Sequence, residues 1–413
     1  MTKQEILAED LAIRSRFPLI AGHPEIAYLD NAATTQRPDT VLSAIEKFYR
    51  EDNANPLRGL YALSQRATDA YENARENVRA FLNASSTEEI IFTRNASESL
   101  NLVAYSWCSA FLKAGDEILV TIMEHHSDML PWRQAAERVG ATLRFLECDD
   151  EGLITEEAFR AALTEKTRLV AMVQISNVLG VENDIRTFAA IAHAQGAVFV
   201  CDGAQSVPHI PVDVQALDVD FLAFSGHKMC GPMGIGVLYA KKQWLKKMPP
   251  FLYGGEMIEY VTREDATWAE LPHTFEAGTV NASGAVGLSA AVDLYREIGF
   301  DTIVRREQRL GRLAFEVLSA NEHIHIIGAK NADAHHGIFT FTLDGVHPHD
   351  IATILDGDNV YIRAGHHCAQ PLMQFLQTPS TARVSLAFYN TEEEILRLGE
   401  CLGQIRWKMG YGD

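Results

Sequence analysis

The stretch EEIIFTRNASESLNLVAYSWCSAFLKAGDEILVTIMEHH, residues 88–126, changes its hydrophobic pattern twice and decides the fold. Its first segment, EEIIFTR (88–94), is a short apolar run rich in β-branched and aromatic residues, which predicts a strand. Residues 98–115 have helical periodicity up to Gly115, and residues 116–126 return to an apolar run. Strand, helix and strand in this order predict a βαβ unit and hence a parallel sheet.

The same alternation continues along the chain. Strands that we expect to be buried are predicted at TLRFLECD (142–149), TRLVAMVQISN (167–177) and AVFVCDGA (197–204). Helices are predicted at PWRQAAERVGA (131–141), ITEEAFRAALTE (154–165) and TFAAIAHAQG (187–196). The sequence therefore predicts an α/β fold, in which helices flank a mainly parallel sheet and ligands bind at the carboxyl ends of its strands.

A long amphipathic stretch at residues 291–321 precedes a smaller mixed region. We interpret this stretch as a helix that forms the hinge into a second domain. The predicted division is a large domain of residues 22–292 and a smaller α+β domain of residues 1–21 and 293–413.

Composition and charge narrow the possible functions. The 413 residues include 36 Lys and Arg against 55 Asp and Glu, a net charge of −19, which argues against binding to nucleic acid or to an anionic membrane. The six cysteines form no CxxC pair, and the sequence contains neither a signal-peptide pattern nor a long apolar run. These features predict a cytoplasmic protein with reduced thiols.

Lys228 lies in FLAFSGHKMCGPMGIGVLYA, residues 221–240, between two apolar runs. Most lysines are exposed surface residues, but a charge between apolar runs is unusual there. A lysine in such a place has a depressed pKa, as a Schiff-base lysine requires. The glycines of GPMGIG (231–236) precede a strand and not a helix, which excludes the dinucleotide-binding and P-loop interpretations.

Asp202 and the segment TRNASES (93–99) complete a pattern around this lysine. Asp202 alone reads as a turn or capping aspartate, but beside a Schiff-base lysine it could keep a pyridine nitrogen protonated. The helix start at Ala96 and the Ser97 hydroxyl suit a phosphate dianion. A capping box of Asn95 with Glu98 explains the same residues, and both interpretations can hold together.

Cys368 lies in YIRAGHHCAQPL, residues 361–372, after Arg363, His366 and His367. This polar, cationic setting favours a reactive thiolate. A metal site is a poor interpretation, since three adjacent side chains do not converge easily on one ion. The other five cysteines lie in apolar or helical surroundings and are expected to pack inertly.

Taken together, these motifs resemble the pyridoxal-phosphate-dependent cysteine desulfurases, in the group II, SufS-like branch of the class V aminotransferase family. The resemblance covers nearly the whole chain. It rests on YLDNAATTQRP (28–38), MEHHSDMLPW (123–132), ISNVLGVEN (175–183), DGAQ (202–205), FSGHK (224–228), FEAGTVN (275–281), RAGHHCAQPLM (363–373) and RVSLAFYNT (383–391).

The resemblance implies a fold-type I (aspartate aminotransferase-like) homodimer with pyridoxal 5′-phosphate (PLP) as cofactor. It implies conversion of L-cysteine to L-alanine, with the sulfur held as an enzyme persulfide for iron–sulfur cluster assembly. A selenocysteine lyase or a related C–S or C–Se lyase is the alternative within the fold, and a non-catalytic scaffold is the alternative outside enzymes.

The resemblance also implies roles for single residues. Lys228 would bind the cofactor covalently, and Cys368 would be the sulfur-accepting nucleophile. The other implied cofactor contacts are Asp202 at the ring nitrogen, Gln205 at the ring oxygen, His125 on the ring face and in proton transfer, and Ala96, Ser97, Ser225, His227 and the partner subunit's Thr279 at the phosphate. The implied substrate contacts are Asn177 and Arg383 at the carboxylate, with Arg363 nearby.

Some positions depart from the family pattern, and one bears on the type of sulfur-acceptor protein. Asp128 replaces a usual Asn, Leu57 replaces a usual His, and Asn95-Ala96-Ser97 keeps one hydroxyl of the phosphate loop. In GVHPHD (345–350), His349 matches a histidine thought to join the zinc of a SufU-type sulfur acceptor. That match slightly favours a SufU-type over a SufE-type acceptor, although a simple turn histidine beside Pro348 explains it equally well.

Overall fold

A computed structural model describes residues 2–411. The α-helices are α1 (Lys3–Arg14), α2 (Pro18–Gly22), α3 (Asp39–Lys47), α4 (Ala62–Phe81), α5 (Ala96–Phe111), α6 (Leu130–Val139), α7 (Glu156–Ala162), α8 (Ile185–Ala194), α9 (Val214–Leu217), α10 (Lys242–Leu245), α11 (Ala282–Ile298), α12 (Phe300–Ser319), α13 (Pro348–Gly357), α14 (Gln370–Phe375) and α15 (Glu392–Lys408). The strands are β1 (Ala27–Tyr28), β2 (Ile90–Thr93), β3 (Glu117–Thr121), β4 (Thr142–Leu146), β5 (Thr167–Val173), β6 (Val198–Asp202), β7 (Phe221–Ser225), β8 (Gly236–Ala240), β9 (Ile258–Val261), β10 (Ala266–Trp268), β11 (Ile324–Ile327), β12 (Ile338–Leu343), β13 (Val360–Tyr361), β14 (Arg363–Gly365) and β15 (Thr381–Ser385).

The large sheet has the strand order β2-β8-β7-β6-β5-β3-β4. Strands β7, β6, β5, β3 and β4 run parallel, which confirms the predicted mainly parallel sheet. Strand β8 is antiparallel to both of its neighbours. The link from β7 to β8 contains only a short turn, so the chain returns beside β7 without the helical crossover that a parallel pair needs.

Helices cover both faces of this sheet. Along β6, Val198 and Val200 pack in the apolar cluster that includes α5 and α6, whereas Phe199 and Cys201 pack in the cluster that includes α4, α8 and α11. This period of two puts an apolar side chain on each face in turn. The sheet is therefore buried on both sides, and its strand ends are left for polar residues.

Two predictions about single elements are wrong. The stretch 142–149 was expected to be a buried strand, but β4 is the edge strand and its Phe145 is 37% exposed. The amphipathic stretch 291–321 is two helices and not one, because the chain turns at Gly299, where φ is +78°. Only glycine adopts that conformation without strain.

The second sheet is antiparallel, with the order β11-β12-β15-β14. Helices α12, α13 and α15 pack with it in a separate apolar cluster. Helix α1 is joined to this part by ion pairs from Arg14 to Glu394 (2.7 Å) and from Glu9 to Arg306 (3.1 Å). The division into domains of 22–292 and of 1–21 with 293–413 stays a prediction.

Across residues 2–411, no helix is both long and apolar enough to cross a membrane. The cytoplasmic location also stays a prediction.

Candidate active site

A cavity of about 310 Å³ lies at the carboxyl ends of β5, β6 and β7 and reaches the second sheet. The sequence-predicted residues that line it are Ala96, Ser97, His125, Asn177, Asp202, Gln205, Ser225, His227, Lys228, Arg363, Cys368 and Arg383. Thr279 is exposed and lies outside this cavity. Residues without a predicted role in binding or catalysis also line it: Ala32, Ala33, Asn95, Ser127, Val173, Ala204 and His367.

Lys228 and Asp202 face the cavity from neighbouring strands. Asp202 ends β6, and Lys228 ends the 3₁₀ turn that follows β7. Burial lowers the pKa of Lys228 to about 8, although the nearby Asp202 carboxylate opposes this shift. Burial likewise raises the pKa of Asp202, against the opposing effect of Lys228. Desolvation thus outweighs their attraction, and Lys228 has an accessible neutral amine near neutral pH.

The amino end of α5 forms an anion-binding cradle. Ser225 Oγ accepts a hydrogen bond from Ala96 N at 2.9 Å, and the Ser97 and Ser127 hydroxyls lie 2.6 Å apart. Asn95 caps the helix, since its Oδ1 accepts from the N–H of Glu98 at 3.0 Å. The predicted capping box is only half formed, because the Glu98 carboxylate accepts from Arg94 N and not from Asn95 N. Hydroxyls and a helix dipole therefore converge where an anion is favoured.

Within the described part of the chain, three histidines line the cavity, His125, His227 and His367, and all are neutral at physiological pH because burial lowers the pKa of each ring. Burial lowers the pKa of His125 to about 3, and Lys228 adds to the effect. His125 Nδ1 accepts from Ser127 N at 3.0 Å, so the ring proton is assigned to Nε2. Burial also lowers the pKa of His227 to about 4.

Two arginines share one carboxylate at the other side of the cavity. Arg363 donates to both Asp30 oxygens at 2.9–3.1 Å, and Arg383 Nη2 lies 3.3 Å from Asp30 Oδ1. Arg383 Nη1 also donates to the Asn177 carbonyl at 2.9 Å. Burial lowers the pKa of Arg383 to about 10, which leaves it cationic. Asp30 was not predicted as a site residue, although it lies in the quoted segment 28–38; the available signal was an acidic residue directly after the apolar run of residues 26–29.

Some buried polar atoms in this region have no partner among the described residues. On the residues that line the cavity they are Asn177 Oδ1, Gln205 Oε1, His367 Nδ1 and Arg383 Nε. The other end of the Gln205 amide donates to Ala32 O at 2.8 Å, and the Asn177 amide donates to His367 O at 2.7 Å. Buried polar groups are normally satisfied, so these atoms indicate that the cavity holds a polar ligand.

Cys368 is exposed at the cavity on a loop with unusual backbone conformation. His367 and Cys368 have φ values of +51° and +57°, and the Cys368 carbonyl accepts from His126 N at 2.7 Å. The prediction of a cationic His367 is wrong, because burial lowers the pKa of its ring to about 3. Arg363 supplies the positive charge instead. Inert packing is confirmed for the buried cysteines Cys108, Cys148, Cys201 and Cys230.

The chain is similar to known proteins over almost its whole length. The class-V aminotransferase family matches residues 27–398. A probable cysteine desulfurase of Halalkalibacterium halodurans is 48% identical over 97% of this chain and 98% of its own. A cysteine desulfurase of Thermococcus onnurineus has a TM-score of 0.92 and 41% identity, covering 96% of this chain and 98% of its own.

The Escherichia coli cysteine desulfurase CsdA has a TM-score of 0.90 and 36% identity, covering 97% of this chain and 98% of its own. These similarities extend over both sheets and the cavity between them. The chain belongs to the class-V aminotransferase family.

Proposed function

We propose that this chain is a PLP-dependent cysteine desulfurase of the SufS-like group. It converts L-cysteine to L-alanine and keeps the sulfur as a persulfide on Cys368, for iron–sulfur cluster assembly. The observation that carries the proposal is one cavity lined by a buried lysine with a depressed pKa, a buried carboxylate, two arginines and an exposed thiol. The names of relatives that match almost the full chain support it.

The cavity residues fit PLP. The unpartnered Gln205 Oε1 leaves one end of a buried amide free toward a ligand, and the cradle at α5 suits a phosphate. Lys228 would bind the cofactor covalently, Asp202 would contact the ring nitrogen and His125 the ring face. Ala96, Ser97, Ser225 and His227 would hold the phosphate, with Thr279 contributed across a homodimer. When bound, PLP supplies an electron sink for the substrate α-carbon.

The chain's own residues then have distinct tasks. Asn177 and Arg383 bind the substrate carboxylate and orient the α-hydrogen toward Lys228, whose neutral amine removes and returns protons. Cys368 attacks the substrate sulfur as a thiolate. An S–S bond forms as the bond from this sulfur to the β-carbon breaks, and protonation of that carbon gives alanine. One cysteine thus yields one alanine and one persulfide.

The proposal is tested by measuring both products. Purified enzyme with L-cysteine and excess thiol reductant should release alanine and sulfide in equal amounts. Pyruvate and ammonia in place of alanine would contradict the proposal, since they indicate β-elimination.

Replacing Asp30 with Asn tests whether Asp30 positions Arg363 and Arg383 for the substrate. The amide loses the charge and one of the acceptors that hold Arg363 and Arg383, so we expect kcat/KM for L-cysteine to fall by about tenfold, mainly through KM. The exposed Asp69→Asn is the matched control. An unchanged KM in Asp30→Asn would show that the pair does not orient the substrate.

We further propose a SufU-type zinc-containing acceptor that engages His349. His349 is exposed in the first turn of α13, and its N–H lies 3.3 Å from His347 Nδ1. Within residues 2–411, no three His, Cys, Asp or Glu side chains group as a metal site, so a zinc ion here needs ligands from the partner.

His349→Ala should therefore abolish stimulation of turnover by a SufU-type acceptor and leave basal turnover with L-cysteine intact. His347→Ala controls for the neighbouring ring. Steady-state assays with and without the acceptor measure both quantities, and undiminished stimulation of His349→Ala would reject the zinc contact.

A further inference from the structure

Two buried acids, Glu124 and Asp128, lie behind the cavity in addition to Asp202. Their exposed fractions are 1% and 0%, and that of Asp202 is 3%. Glu124 and Asp128 flank the segment that carries His125 and Ser127. They have no task in the proposed reaction, and three buried carboxylates in one place need an explanation.

Hydrogen bonds fix one oxygen of each additional acid. Glu124 Oε1 accepts from Thr121 Oγ1 at 2.6 Å and from Val173 N at 3.1 Å. Asp128 Oδ1 accepts from the Trp132 indole N–H at 2.8 Å. Val173 is the register partner of Asp202 between β5 and β6, so Glu124 is tied to the strand beside Asp202.

The second oxygen of each acid has no hydrogen-bond donor within residues 2–411. Glu124 Oε2 and Asp128 Oδ2 are buried and receive no N–H or O–H donor from the described residues. The two carboxyl groups are close enough for each to shift the pKa of the other. Two ionised carboxylates have no proton for a hydrogen bond between them, whereas one shared proton satisfies both oxygens.

The proton shared by the two carboxyl groups is bound mainly to Asp128. Glu124 accepts two other hydrogen bonds and Asp128 accepts one, so Glu124 is the better stabilised anion. Burial raises the pKa of Glu124 to about 7, and burial with the charge of Glu124 raises that of Asp128. The titratable groups that face the pair from β6 are Asp202 and Cys201, and Lys228 faces Asp202 from the turn after β7.

We propose that Glu124 and Asp128 share one proton and act as a single buried negative charge, which positions the 125–128 segment and strengthens the negative potential at Asp202. Both are positioning residues. The charge of the pair is independent of the proposed function, and its effect on the cofactor rests on the proposed contact between Asp202 and the ring nitrogen.

Single and double amide variants of the holoenzyme test how many negative charges the pair of Glu124 and Asp128 carries. In Asp128→Asn, the amide donates to an ionised Glu124. In Glu124→Gln, the amide donates to an ionised Asp128, so each single variant keeps one negative charge. The double variant has none. The readout is the pH midpoint of the visible absorption of bound PLP, which reports protonation at the cofactor.

We expect both single variants to keep the midpoint of the parent enzyme and the double variant to lower it by about one pH unit. Stepwise shifts, in which each single variant gives about half of the double effect, would show two charges and overturn the proposal. An unshifted double variant would show a neutral pair or no coupling to the cofactor, and would also overturn it. Asp202→Asn tests the ring contact separately.

Thermal unfolding gives a second readout that does not depend on the cofactor spectrum. Acids whose pKa is raised in the folded state stabilise it fully in acid, and this contribution is lost as the pH rises through the folded pKa. The Tm of Asp128→Asn relative to the parent should therefore rise by about 2 °C between about pH 5 and about pH 9. The exposed Asp150→Asn should show no such trend. A constant difference for Asp128→Asn would overturn the shared proton.

Discussion

Lys228→Ala lowers the rate of alanine formation from L-cysteine by about 10⁴-fold or more, because the variant has no amine to bind the cofactor or to move the α-proton. Lys228 is suited to this task by its position. The turn after β7 places it in the cavity opposite Asp202, and burial lowers its pKa to about 8. The same variant should lack the visible absorption of lysine-bound PLP.

The matched control is Lys113→Ala, which removes an exposed lysine after α5. Alanine formation is measured with purified enzyme that contains equal total PLP, and the absorption spectrum is recorded on the same samples. Lys228→Ala with substantial turnover and an unchanged spectrum would mean that another residue binds the cofactor.

Cys368→Ala lowers the rate of sulfur release from L-cysteine by at least about 100-fold while PLP stays bound. The thiol is the only part of Cys368 that the substitution removes. The loop stays anchored, since His126 N donates to the backbone carbonyl of Cys368 at 2.7 Å. An unchanged cofactor spectrum therefore separates loss of the nucleophile from loss of the site.

Cys401→Ala is the control, because this half-buried cysteine lies on α15 and outside the cavity. Sulfide and alanine are assayed together for both variants. Full activity of Cys368→Ala would contradict the desulfurase mechanism and favour a selenocysteine lyase or a related lyase, which does not need a thiol nucleophile.

The fold was largely predictable because the period of hydrophobic residues reports local structure. The strand–helix–strand pattern of residues 88–126 appears as β2, α5 and β3. Strand order was not predictable in this way: β2 and β3 are adjacent in sequence but four strands separate them in the sheet. The edge position of β4 and the break at Gly299 also depend on tertiary packing and backbone conformation, which a hydrophobic pattern does not encode.

Local sequence likewise identifies only some residues of the candidate site. Lys228 and Asp202 follow apolar runs at strand ends, so local sequence identifies them. Asp30 and His367 are positioned by contacts with residues distant in sequence. Asp30 binds Arg363 and Arg383, and His367 contacts Thr381 at 2.9 Å. Asp128 was recognised as a departure, but its effect became interpretable only with its contact to Glu124.

Mass spectrometry of the intact and digested enzyme shows whether Cys368 takes the sulfur of L-cysteine. After brief incubation with L-cysteine and no reductant, followed by alkylation, the peptide that contains Cys368 should carry one additional sulfur atom, about 32 Da. Alanine should be released in a matching amount. An unmodified Cys368 peptide alongside released alanine would mean that Cys368 does not take the sulfur.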